Sequence, residues 1–286
     1  MKLKQLSLIA VSMLLSTLPF IASAQQLKTP APSPTQTLDQ AFALSNIKIE
    51  YSRPSMKGRV IYGDLVPFGK VWRTGANAST KITFGDDVKI EGVALKAGTY
   101  ALYTIPNKDS WEIMFYKDLA LGGNVADYKA ENEVLRVKAK PTALGNKVET
   151  FTINVADITP TSANIELVWE QTRVAFKVTE EIDAAIMASI EKTVIKDSRP
   201  YFAAASYYYE NDKDQKLALE WADKAFKANP SAYWVAHLKA KIQIKLKDYS
   251  GAIATAEQSL ALAKTAKDDT YAAMNEKLIA EAKRGN

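Results

Sequence analysis

Cysteine is absent from the 286 residues, and histidine occurs once, as His237. Without cysteine there is no disulfide framework, thiolate metal site, cysteine nucleophile or acylated N-terminal cysteine. A zinc site needs several His or Cys ligands, and this chain supplies one. His237 lies between Ala236 and Leu238 in a helical stretch, far in sequence from the serines of the N-terminal half, which argues against a Ser-His-Asp triad. No phosphate-cradling glycine loop occurs, since Gly122-Gly123 lacks the Gly-Lys-Ser ending and the strand-to-helix setting. Asp118, Asp127 and Glu131 beside Gly122-Gly123-Asn124 are oxygen donors of the kind calcium takes, but at no recognised spacing. Adjacent Asp86 and Asp87 read as turn residues rather than as a hydrolytic pair. Charge of one sign is also scarce: the formal balance is +5, too mild for a nucleic-acid binder. Neither a metal nor a cofactor is expected.

The first 24 residues place Lys2 and Lys4 before an apolar run from Leu8 to Ile21 and end in Ala22-Ser23-Ala24. This is the pattern of a cleavable export signal, giving a periplasmic or secreted protein with no membrane span after cleavage. The run is broken by Ser16, Thr17 and Pro19 and falls short of the ~20 residues a spanning helix needs. Residues 25–40, with Pro30, Pro32 and Pro34, read as a flexible Pro-rich linker, so folded structure is expected from Ala41.

Between Ile47 and Val178 about ten short runs alternate apolar and polar residues between Gly, Pro, Asn or Asp. Phe151, Ile153 and Val155 form one inward face; Ile165, Leu167 and Trp169 form another, and Val174, Phe176 and Val178 a third. Gly85-Asp86-Asp87 reads as the turn of a hairpin between 81–84 and 88–91. Pro106 to Ser110 reads as the turn of a second hairpin, between 99–105 and 111–116. The period then changes. Ile182, Ile186, Ile190 and Val194 recur every four residues, as in a helix. Farther on, Ala218, Leu219, Ala222 and Phe226 are matched 34 positions later by Ala252, Ile253, Ala256 and Leu260. That period is the one found in tetratricopeptide hairpins, where small residues let helices cross closely. An array this short is expected to dock on the helix at 182–195 or on the β domain. The chain is thus expected to join an antiparallel β-sandwich at 41–179 to an all-α, tetratricopeptide-like array at 180–286.

The densest polar tract runs from Tyr51 to Thr80 and contains Trp72-Arg73-Thr74-Gly75-Ala76-Asn77. With Ala97-Gly98-Thr99-Tyr100, Ile105-Pro106 and Trp111, it resembles the domain-of-unknown-function 2911 family of exported bacterial proteins over residues 47–178. The resemblance implies membership and brings no reaction, substrate or cofactor. From residue chemistry alone, Arg53, Lys57, Arg59, Arg73, Asn77 and Thr80 are candidates to bind a small polar or anionic ligand, since guanidinium forks and amides suit carboxylate, phosphate or polyhydroxyl oxygens. The competing reading has Trp72 in the core, Gly75 and Asn77 in turns, and the arginines paired with Asp64, Asp86 or Asp87. Tyr100, Tyr103, Trp111 and Tyr116 would stack on sugars if exposed and fill the core if not. The aromatic load of the helical half, including Tyr207, Tyr208, Tyr209, Trp221, Tyr233 and Trp234 beside Lys213, Lys216, Lys239 and Lys241, suits a peptide or protein partner. The functional expectation is a non-enzymatic envelope protein. The alternative is an envelope-polymer hydrolase or lyase, which needs an acid beside Arg73.

Overall fold

The computed structural model describes residues 29–195 and 200–285, so the expected leader at 1–24 lies outside the described residues. The chain divides into two compact units, Met1–Glu180 and Glu181–Asn286.

The first unit carries ten strands among its described residues: β1 (Thr35–Phe42), β2 (Ser45–Ser52), β3 (Thr80–Phe84), β4 (Val88–Ile90), β5 (Val93–Leu95), β6 (Gly98–Ile105), β7 (Trp111–Tyr116), β8 (Glu133–Ala139), β9 (Pro141–Ala156) and β10 (Ser162–Thr179). They form a six-stranded antiparallel sheet, β1-β2-β3-β6-β7-β8, and a four-stranded one, β5-β4-β10-β9. Alternation explains how the sheets meet. Ile47, Ile49, Ile82, Leu102 and Ile113 of the first and Ile90, Phe151, Ile153 and Ile165 of the second are fully buried in one shared core. Each such side chain contributes roughly 1.5–3 kcal/mol by leaving water. The result is a β-sandwich followed by a helical array.

Two local expectations are corrected. Residues 35–40 are not tether: β1 begins at Thr35 and pairs with β2 over its full length, from Thr35↔Ser52 to Phe42↔Ser45. Its Gln36, Leu38 and Gln40 are half-buried while Thr35, Thr37 and Asp39 are exposed, a weak alternation suited to an edge strand. The proline signal stops at Pro34. The stretches around Gly85-Asp86-Asp87 do not pair with each other either. β3 pairs with β2 and β6, whereas β4 pairs with β5 and β10, so this turn carries the chain from one sheet to the other. Residues 99–105 and 111–116 do form a hairpin, as β6 and β7.

β10 is one 18-residue strand in which both Trp169 and Val174 are buried. Buried residues change from odd to even positions between them, which a regular strand forbids. The pairing with β9 shifts register on either side of Glu170, whose φ is +54°, and so absorbs the change.

In the second unit, α1 (Asp183–Ile190) runs into a π-helical turn at Glu191–Ile195, followed by α2 (Tyr201–Glu210), α3 (Gln215–Ala228), α4 (Tyr233–Lys245), α5 (Tyr249–Thr265) and α6 (Asp269–Gly285). Ile190 and Val194 enter the same core as Tyr208, Trp221 and Ile242. Asp214 and Asp248, 34 positions apart, cap α3 and α5 by accepting backbone N–H groups. Ala218, Ala222, Ala252 and Ala256 are fully buried, as close helix crossing requires. A buried polar chain ties α4, α5 and α6 together. The Asn275 amide donates to Ser259 Oγ (2.8 Å) and to the Tyr271 carbonyl (2.8 Å), which leaves its oxygen to accept from His237 Nδ1 (2.9 Å). Ser259 in turn donates to the Tyr233 carbonyl at 2.7 Å.

Candidate functional site

The long connection from β2 to β3 is stitched to both sheets. Trp72 and Thr104 exchange backbone hydrogen bonds at 2.7 and 2.9 Å, while Met56 N–H donates to the Glu149 carbonyl and Phe151 N–H to the Pro54 carbonyl. Anchored at both ends, the segment sustains unfavourable backbone angles: φ is +55° at Thr74, +156° at Gly75 and +59° at Asn77. Thr74 is β-branched and fully buried, so this conformation costs about 1–2 kcal/mol there. Its hydroxyl donates to Thr104 Oγ1 (3.1 Å) and its carbonyl accepts from Thr80 Oγ1 (2.6 Å). A Cβ on Gly75 would stand 3.1 Å from the Ser52 carbonyl oxygen, so the chain passes here only as glycine.

Beside this turn lies a cleft of about 260 Å³. Trp72 and Trp169 are at its base, stacked with ring centroids 6.0 Å apart. Their indole N–H groups are spent on the Gly75 and Glu149 carbonyls, both at 3.1 Å. Pro54, Leu65, Val66, Gly75 and Ala76 form walls, and Arg59 and Arg73 supply its charge. Arg59 donates to the Met56 and Ser55 carbonyls (2.9 and 2.8 Å) and Arg73 to the Gly123 carbonyl (3.3 Å). A guanidinium offers more N–H groups than these bonds use. Arg73 Nε is buried and has no hydrogen-bond partner. Leaving such a donor unsatisfied costs about 1–3 kcal/mol.

Of the six candidate residues, the cleft brings Arg59 and Arg73 together. Arg53 bridges instead to β9, donating to the Phe151 carbonyl (3.1 Å) and Thr152 Oγ1 (2.7 Å). The exposed Lys57 (φ +49°) marks a turn whose N–H donates to Glu149 Oε1. Asn77 donates to the Ser33 carbonyl and to Ser52 Oγ, both at 3.3 Å, and Thr80 is fully buried. The pairing of arginines with acids is not what forms. Among the described residues Arg53, Arg59 and Arg73 donate to carbonyls and a hydroxyl, and Asp87 is held by Lys96 at 2.7 Å. Trp169, Leu65 and Pro54 were not foreseen as lining residues, although the parity break after Trp169 marked a distortion there.

The acid required by a hydrolase or lyase is missing from this lining among the described residues. Glu170, next to Trp169, accepts from the Ile61 N–H at 3.4 Å. Tyr62 packs edge-on to Trp111, Trp72 and Trp169, with its hydroxyl buried and unpartnered. Burial, followed by the nearby Glu170 carboxylate, pushes its phenol far above the ordinary range, so it stays neutral. Tyr100, Tyr103, Trp111 and Tyr116 are buried, which removes the sugar-stacking reading. Asp118 accepts from Ala120 N–H and Asp127 from Asn124 Nδ2, and among the described residues no three acids or histidines gather as a metal site. A wider depression of about 500 Å³ near Phe68 mixes Lys108 and Lys138 with Asp109 and Glu112, so its charges balance. In the helical unit, Lys213 and Lys239 pair with Asp183 and Asp223, and Trp234 is the exposed ring of the aromatic set. Among the described residues no helix is long and apolar enough to cross a membrane.

No curated protein and no solved structure matches this chain significantly. The profile of a family described as protein of unknown function (DUF2911) matches residues 33–178, from just before β1 to the end of β10 and half of the whole chain. By that match the chain belongs to the DUF2911 family, its sandwich being the family's domain.

Proposed function

We propose that the sandwich is a receptor for a small anionic ligand, seated in the cleft between Arg59 and Arg73. The observation that carries this reading is a shared concavity lined by two arginines and by no acid among the described residues. Both arginines donate to backbone carbonyls rather than to carboxylates, so these bonds position them without a partner anion. The strained turn at Thr74 to Asn77 adds support, because strained backbone gathers at ligand-binding segments.

Calorimetric titration of the full chain with acetate and inorganic phosphate at low salt tests the reading. Binding is expected and should weaken about 10–100-fold in Arg73→Gln. Equal affinity in the variant would overturn it, as would the absence of binding by these anions and by the larger carboxylate probe used below.

The helical unit is read as a tetratricopeptide-like pair with a capping helix, supported by the 34-position spacing of its Asp caps and by its buried alanines. Trp234, 38% exposed on α4, favours this half as the one that contacts a peptide or protein partner. The leader motif supports export, and the mass of the protein recovered from the envelope fraction checks it: retention of residues 1–24 would refute cleavage.

A further inference from the structure

We infer that the cleft is built for an organic acid: one anionic head on a flat or aliphatic body, carrying no ammonium group. The inference rests on the receptor reading above and adds the class of ligand to it. The division of labour along the lining gives the first reason. Apart from Arg59, Arg73 and Ser33, the residues there are apolar, and both indole N–H groups are already bonded to backbone carbonyls. A sugar or a nucleoside would bring hydroxyls and amides into a site with few partners for them, and each unpaired polar group loses affinity.

Charge gives the second reason. Arg59 and Arg73 lie on a lining that contains no Asp or Glu among the described residues, so an ammonium would meet like charges with nothing to neutralise it. Size gives the third. At about 260 Å³ the cleft is below the range of drug-sized sites, so the body is small. Leu65, 44% exposed, adds accessible apolar surface to this lining. An aromatic ring that buries roughly 60 Å² of apolar area against such surfaces binds about tenfold tighter than the head group alone.

The test compares five probes on the full chain by calorimetry: 3-phenylpropanoate, phenylalanine, 3-phenylpropanamide, acetate and inorganic phosphate. Phenylalanine is the first probe with an ammonium added, and the amide is the same body without charge. 3-Phenylpropanoate is expected to bind at least about tenfold tighter than acetate, phosphate and phenylalanine, with no measurable binding of the amide. In Leu65→Ser, which removes apolar surface from an exposed position and adds no charge, the preference over acetate should shrink. If acetate or phosphate binds as well as 3-phenylpropanoate, the apolar body is wrong while the receptor reading stands. If phenylalanine binds equally well, the exclusion of ammonium is wrong. Silence from all five probes overturns the receptor reading itself.

Discussion

Replacing Arg53 with methionine should destabilise the sandwich without changing the affinity of the cleft. Arg53 follows β2 of the six-stranded sheet, and its guanidinium donates to the Phe151 carbonyl (3.1 Å) and Thr152 Oγ1 (2.7 Å) on β9 of the other sheet. Methionine keeps an apolar stem and loses both donors. A hydrogen bond to a charged group is worth about 1.5–3 kcal/mol, but the two losses should not add. The Thr152 hydroxyl already donates to the Thr150 carbonyl at 3.0 Å, so the larger loss falls on the Phe151 carbonyl. The guanidinium is only partly buried and water takes up part of its role, which leaves about 2 kcal/mol in total. Urea unfolding followed by near-ultraviolet circular dichroism, to which the stacked Trp72 and Trp169 contribute, should show a midpoint lower by about 1 M. Anion titration of the same variant should match the parent. A midpoint shift below about 0.2 M would refute the bridge, and a loss of anion affinity at unchanged midpoint would return Arg53 to the site.

Ala218→Leu should destabilise the helical unit by about 1–3 kcal/mol, because Ala218 is fully buried where helices cross; a melting temperature equal to the parent's would refute close crossing there. His237 should make the helical unit acid-sensitive. Burial holds its imidazole below the ordinary histidine range, with Lys241 adding to the effect and the Asn275 hydrogen bond opposing it. The unfolded chain then takes up the proton first, so stability is fully present above about pH 6.5, falls as the pH drops through that value, and levels off below the depressed folded value. Asp183, Asp223 and Asp268 are held below the usual carboxylate range by their hydrogen bonds, so their losses come at lower pH. Melting temperatures from pH 7.5 to 5 should therefore fall more steeply for the parent than for His237→Gln, and parallel curves would refute the assignment.

Signals that depend on near neighbours were legible. The inward faces at Phe151, Ile153, Ile165, Leu167, Val174 and Phe176 followed from alternation, and all are buried. The buried alanines followed from a 34-position repeat, and the structure adds that Asp214 and Asp248, at the same spacing, cap their helices. The first strand was hidden because Thr and Gln occupy its exposed and half-buried positions without a strong apolar face. The turn at Gly85 to Asp87 misled for another reason: its residues suit a reversal of the chain equally well within one sheet and between two. Within the candidate site, residue type marked the tract without telling one arginine from another. Arg53, Arg59 and Arg73 have the same chemistry, and only their partners separate a bridge to β9 from the two that line the cleft.

By itself, the amino-acid order determined the succession of β and helical units and the inward faces of strands and helices. These rest on periodicity, which near neighbours in the chain set. Tertiary structure alone decided which sheet each strand joined, that Trp169 came to lie against Trp72, and which arginines line one cleft. Those outcomes depend on contacts between residues about a hundred positions apart, such as Arg53 with Phe151. Such contacts are set by how the two sheets pack, and no local pattern records that.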